Sequence, residues 1–155
     1  MCIILRAASK IQSGCSGQQS LVLYDHGYIS SPNYPDKYYM DAVCRWTLSV
    51  RKWQTIWVTL LDFELDVKRG GTCDDYLEIG YGSKEYFREC GVLGKQTIEV
   101  PASATTVQFV TGETSLTQRG FFLYFEGFIH LYVFFNLSCY YQLESFLSYN
   151  QMVYA

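Results

Sequence analysis

Histidine is scarce in this chain. His26 and His130 are the only two, and neither an H-E-x-x-H nor a G-x-S-x-G motif occurs. The helical zinc-hydrolase and nucleophile-elbow chemistries therefore have no foothold. A Ser-His-Asp triad would rest on His26, which the run Asp25-His26-Gly27 places in a turn between strands. Cations are short as well, with 12 Lys and Arg against 15 Asp and Glu, a net charge of -3 and a pI near 5.3. Lacking a basic stripe, the chain has nothing with which to release counterions from a phosphate backbone, so nucleic acid is excluded as a partner class. A charged partner should be cationic. Neither a C-x2-C pair nor a His-rich spacing suggests a zinc site. The N-terminus offers only Cys2 to Leu5 as an apolar run, short of the roughly 7 to 15 residues of a signal peptide's apolar region, so no signal peptide is visible. It reads as the start of a fragment, or of a chain lacking its true beginning.

What is present is a globular composition. At 155 residues, 49% hydrophobic and 17% charged, the chain is long enough for one domain with its own core. Aromatics reach 17%, dominated by 14 Tyr and 10 Phe, a bias that suits pleated, half-buried surfaces more than helices. Six cysteines (Cys2, Cys15, Cys44, Cys73, Cys90, Cys139) favour disulfides in an oxidising compartment.

Residues 1–14 carry no strong structural signal and read as a disordered lead-in. From Leu21, LVLYDHGYISSP gives a short strand, a turn and a second extended piece, and the prolines of SPNYP keep that loop out of any central strand. Cys44 to Val50 alternates cleanly, with Cys44, Trp46, Leu48 and Val50 on one face and Arg45, Thr47, Ser49 and Arg51 on the other. In Thr55 to Leu65 the apolar phase changes. Ile56, Val58 and Leu60 share one phase and Leu61, Phe63 and Leu65 the other, which predicts a bulge or burial on both sides. Further strands are predicted at Asp75 to Tyr81, Tyr86 to Arg88, Thr97 to Val100, Thr106 to Thr111 and Phe121 to Phe125. No convincing helical period separates them, so the fold class is all-β, a β-sandwich or jelly roll.

The acids cluster. Six of the 15 lie between Leu61 and Tyr81, flanking the basic glycine-rich loop Lys68-Arg69-Gly70-Gly71. Glu64 and Asp75, one near the end of each arm, can face each other across the mouth of that loop. Two carboxylates raise the thought of a glycosidase, but these sit at a loop edge with no sign of a sugar cleft. Residues 129–155 change character. From Phe128 onward there is no Gly or Pro and a single charged side chain, Glu144. The best transmembrane window there, Phe121 to Tyr141, contains Glu126, His130 and Asn136 and overlaps a predicted strand, so an aromatic tail is the better reading than a membrane span. Asn136-Leu-Ser138 matches a glycosylation sequon.

Taken in order, GYISSPNYPDKY, CRWTL, DFEL, CDDYLEI, the Cys90-Gly91 pair and Arg119-Gly-Phe121 resemble the CUB domain, an extracellular module of complement proteases, tolloid-like metalloproteases and endocytic receptors. The resemblance spans 15–128. It implies two antiparallel sheets in a jelly-roll, spermadhesin-like sandwich, with bridges Cys15 to Cys44 and Cys73 to Cys90, which the residues alone do not choose among 15 pairings. It leaves Cys2 and Cys139 outside the pattern. It further implies a non-catalytic extracellular module that binds proteins, or else a structural spacer in a larger secreted protease or receptor.

Many members of that family hold Ca2+ at one end of the sandwich. Carried over by motif, the ligands here would be Tyr38, Glu64 and Asp75, with a fourth before the last strand. Counting from Phe109 puts Gly112 at that fourth position, and counting back from Gly120 puts Glu113 there. The resemblance also implies that Tyr38, Glu64 and Asp75 form the surface on which a partner's Lys or Arg docks. Tyr24, Tyr34, Tyr39 and Tyr81 are candidate contact aromatics.

Overall fold

A computed structural model describes residues 11–12, 15, 21–67, 70–113 and 118–129. The expectations attached to Cys2, Asn136, Cys139, the possible membrane segment and most of the C-terminal tail lie outside the described residues. Among those described there are ten strands and no helix: β1 (Ile11–Gln12), β2 (Leu21–Tyr24), β3 (His26–Ser30), β4 (Val43–Ser49), β5 (Thr55–Glu64), β6 (Tyr76–Tyr81), β7 (Lys84–Glu89), β8 (Gln96–Val100), β9 (Ala104–Val110) and β10 (Gly120–Phe128). They form two five-stranded sheets, ordered β1-β3-β10-β5-β8 and β2-β4-β9-β6-β7. The all-β sandwich expected from the sequence is the observed architecture, with both implied bridges, Cys15–Cys44 and Cys73–Cys90.

Three details differ from the sequence reading. The lead-in contributes β1, which pairs parallel with β3 through Ile11 opposite Tyr28 and Gln12 opposite Ile29. The β2–β4 pair is parallel too, so the sheets are antiparallel apart from two edge pairs. No tight hairpin joins β2 to β4, and nothing local forces the antiparallel arrangement there. The turn after β2 is a single residue: Asp25 takes φ 64, a left-handed conformation that a short polar side chain tolerates, and His26 already belongs to β3. That one bend carries the chain from one sheet to the other.

The inward faces interlock as the alternation predicts. Cys44, Trp46, Leu48 and Val50 are all buried, and Trp46 meets Phe121 edge-on at 5.9 Å between ring centroids. Ile56, Val58, Leu60, Leu77, Ile79, Val107, Phe109, Leu123 and Phe125 complete most of the core. Each such side chain contributes about 1.5–3 kcal/mol by leaving water. The phase change in β5 is a bulge. Leu60 pairs with Leu123 and Asp62 with Phe122, leaving Leu61 unmatched and 37% exposed. Without that extra residue, positions 62 and 64 would follow 56, 58 and 60 into the core. The bulge instead turns Phe63 and Leu65 inward and sets Asp62 and Glu64 toward solvent.

Candidate functional site

The bulged end of β5 lies beside the start of β10, where Gly120 pairs with Glu64. Gly120 has φ +93, and a Cβ there would stand 1.8 Å from Ser31 Oγ, so only glycine lets the loop after β3 close onto the sheet. Ser31 Oγ accepts the Phe121 N–H at 3.1 Å and donates to the Arg119 carbonyl at 3.4 Å. This holds Arg119 over the outward carboxylates. Its Nε and Nη2 donate to Asp62 at 2.6 and 2.8 Å, its Nη1 pairs with Glu64, and the Tyr34 hydroxyl donates to Asp62 at 2.8 Å. The guanidinium's hydrogen bonds hold the Asp62 carboxyl below the usual carboxylate range, although its partial burial opposes this. Burial, followed by the hydrogen bond to Asp62, pushes the Tyr34 phenol up.

A second cluster sits across the same end. Tyr38 is 5% exposed and Asp75 2% exposed. The Tyr38 hydroxyl donates to Asp75 Oδ2 at 2.5 Å while accepting the Asp66 N–H at 3.1 Å. The Gly112 N–H donates to Asp75 Oδ1 at 2.7 Å. Gly112 is fixed in turn, because its carbonyl accepts the Asp41 N–H at 3.2 Å. Next to it, the Thr111 hydroxyl bridges the Ala42 N–H and the Tyr39 carbonyl at 2.8 and 2.9 Å. A charged carboxylate this deeply buried is tolerable because both its oxygens accept hydrogen bonds.

Of the residues expected as ligands, the structure joins Tyr38, Asp75 and Gly112 directly, pairs Glu64 with Arg119, and leaves Glu113 exposed. Counting from Phe109 thus identifies the neighbour of Asp75 as Gly112. As a donor set for calcium these residues do not fit. Calcium takes about six to eight oxygens. Here Glu64 is ion-paired with Arg119, and Gly112 presents to Asp75 an N–H where a carboxylate is needed. Among the described residues, no group of three or more His, Cys, Asp or Glu is arranged to hold a metal ion.

Tyr38 and Asp75 are also too buried to meet a partner directly. The accessible carboxylates lie around them: Asp41, Asp74 and Glu113 are exposed and border Gly112, where a Cβ would touch the Asp74 Cβ at 3.4 Å. Exposed apolar side chains share this end, with Tyr39 at 61% and Val92 at 71%. Of the other candidate aromatics, Tyr24 and Tyr81 are exposed and Tyr34 is half-buried. Sequence reasoning missed Arg119, Asp62, Asp41 and Asp74 as members of the site. The Asp74-Asp75 doublet and the arginine before Gly120 were the available signals, but only the strand register shows what they face. His26 lies on β3 opposite Glu126, at the far end of the sandwich.

The family model described as the CUB domain matches residues 15–125. Bone morphogenetic protein 1 of Xenopus laevis is 36% identical over 118 residues, which cover 72% of this chain and 16% of that protein. The crystal structure of the MASP-1 CUB2 domain bound to Ca2+ is 25% identical with a TM-score of 0.64, over 72% of this chain and 99% of that one. The full extracellular region of zebrafish Gpr126/Adgrg6 is 26% identical with a TM-score of 0.63, over 72% of this chain and 15% of that one. The chain therefore spans under a fifth of that curated relative and of the zebrafish ectodomain.

Proposed function

The chain belongs to the CUB domain family, and from that membership we propose that it is a non-catalytic interaction module of an extracellular protein, recognising Lys or Arg side chains of a protein partner at its acidic end. Relatives in multidomain proteins are consistent with a module that binds proteins. Two disulfides and a resemblance to the extracellular region of zebrafish Gpr126/Adgrg6 support the compartment. The observation that carries the reading is the exposed trio Asp41, Asp74 and Glu113 around a rigid, hydrogen-bonded floor, with Tyr39 beside it. The floor fixes the backbone around Gly112 from which these carboxylates project, so a cationic side chain meets them with less loop ordering to supply, and Tyr39 adds an apolar surface against which a lysine or arginine stem can lie.

Binding of this kind is steered by charge and screened by salt. It is tested by surface plasmon resonance of the immobilised chain against a lysine-rich synthetic peptide and a glutamate-rich one. The lysine peptide should bind, more weakly as sodium chloride rises from about 0.05 to 0.3 M. Replacing Asp74→Asn and Glu113→Gln together should weaken it at least about threefold, the loss of one or two rim charge contacts. Equal binding by variant and unchanged chain, or equal binding of both peptides, refutes the reading and leaves a structural spacer.

A further inference from the structure

We infer that the acidic end of this domain is organised without a divalent cation, the Tyr38 hydroxyl and Gly112 amide holding Asp75 while Arg119 clamps Glu64 to Asp62, and that Gly112 is the residue responsible. This departs from the calcium-bound second CUB domain of MASP-1, whose fold the chain shares.

Three observations carry it. Every oxygen that an ion would recruit from Tyr38 and Asp75 already has a partner inside the protein, and both side chains are sealed from water. An ion bound to Asp75 would meet the Gly112 N–H where a second carboxylate is needed, so its shell would be one charged ligand short. Glu64 lies under a guanidinium that also makes two hydrogen bonds to Asp62, so a positive charge is already in place where an ion would be balanced. Finally, glycine at 112 is not dictated by its backbone. Its φ lies outside the left-handed region, and a Cβ there meets the Asp74 Cβ at 3.4 Å and Asp75 Oδ1 at 3.6 Å, which are ordinary contacts. An aspartate fits this position, and its carboxylate would lie close to that of Asp75. Without an ion the two like charges repel; with calcium they become the pair the present site lacks.

The inference does not depend on a basic partner, and its test requires none. Thermal unfolding of the full chain is followed in EDTA and in millimolar calcium, for the unchanged sequence and for Gly112→Asp. The unchanged chain should melt at the same temperature in both, within about 1 °C, because a ligand that does not bind the folded state cannot shift it. Gly112→Asp should melt lower in EDTA and regain roughly 5 °C or more in calcium. Calcium stabilisation of the unchanged chain overturns the inference, and so does indifference of a folded Gly112→Asp. Should that variant fail to fold, Gly112→Asn supplies an oxygen without the charge, and its calcium response is judged in the same way. Isothermal titration of calcium into the unchanged chain decides the first half independently, since heat of binding at millimolar ion contradicts it and a flat trace supports it.

Discussion

Tyr38→Phe removes one hydroxyl and little else, because the ring that packs edge-on to Phe109 at 5.3 Å is retained. Two hydrogen bonds go with it: the donation to Asp75 Oδ2 at 2.5 Å and the acceptance of the Asp66 N–H at 3.1 Å. The first serves a carboxylate that is 2% exposed and that water cannot reach to compensate. Hydrogen bonds to charged groups contribute about 1.5–3 kcal/mol and neutral ones about 1, so the variant should lose about 2–4 kcal/mol. That is a large share of a net stability of about 5–15 kcal/mol, and it corresponds to a fall of roughly 10 °C in melting temperature. Urea unfolding followed by tryptophan fluorescence, with the disulfides intact, measures it. Asp75→Asn closes a double-mutant cycle, in which the two substitutions should be coupled by more than about 1 kcal/mol. A loss below about 1 kcal/mol, or strictly additive variants, would show that Tyr38 and Asp75 do not support each other and would refute the reasoning.

Gly120→Ala, which forces a Cβ into Ser31 at φ +93, should destabilise by about 3 kcal/mol or more, seen as a lost or much lowered melting transition by circular dichroism. Replacing both Cys73 and Cys90 by Ser opens a link of 17 residues and should lower stability by about 3 kcal/mol in urea; a change under about 1 would contradict it. Asp62 titrates lower in the folded chain than in the unfolded one. Its contribution is therefore present above the ordinary carboxylate range, near pH 4, and is lost as pH falls through its depressed folded value. Asp62→Asn should accordingly show a shallower loss of urea stability between neutral pH and pH 3 than the unchanged chain, and parallel profiles would count against the Arg119 clamp.

Much of the architecture was legible because burial imposes a period on the chain. Cys44 to Val50 faces inward on every second residue, and the phase change at Leu61 marks the bulge that turns Asp62 and Glu64 outward. Sheet membership was not legible. A single left-handed residue, Asp25, sends β2 and β3 to opposite sheets, and no periodicity reports such a bend. The site was legible only in part. The family resemblance placed Tyr38 and Asp75 in one site, and the structure joins them by a hydrogen bond, whereas Arg119 read only as part of a closing motif. Its role depends on Gly120 lying opposite Glu64, a register that separate stretches of sequence do not specify. The ambiguity between Gly112 and Glu113 has the same origin: counting along a loop fixes no contact, and the bond from the Gly112 N–H to Asp75 does.

A crystal structure of the chain grown in millimolar calcium is the most direct measurement of whether this end of the domain holds itself together. It should show the Gly112 N–H on Asp75 Oδ1, the Tyr38 hydroxyl on Oδ2 and Arg119 between Glu64 and Asp62, with no ion among them. An ion at about 2.3–2.6 Å from Asp75 and Glu64 would contradict it.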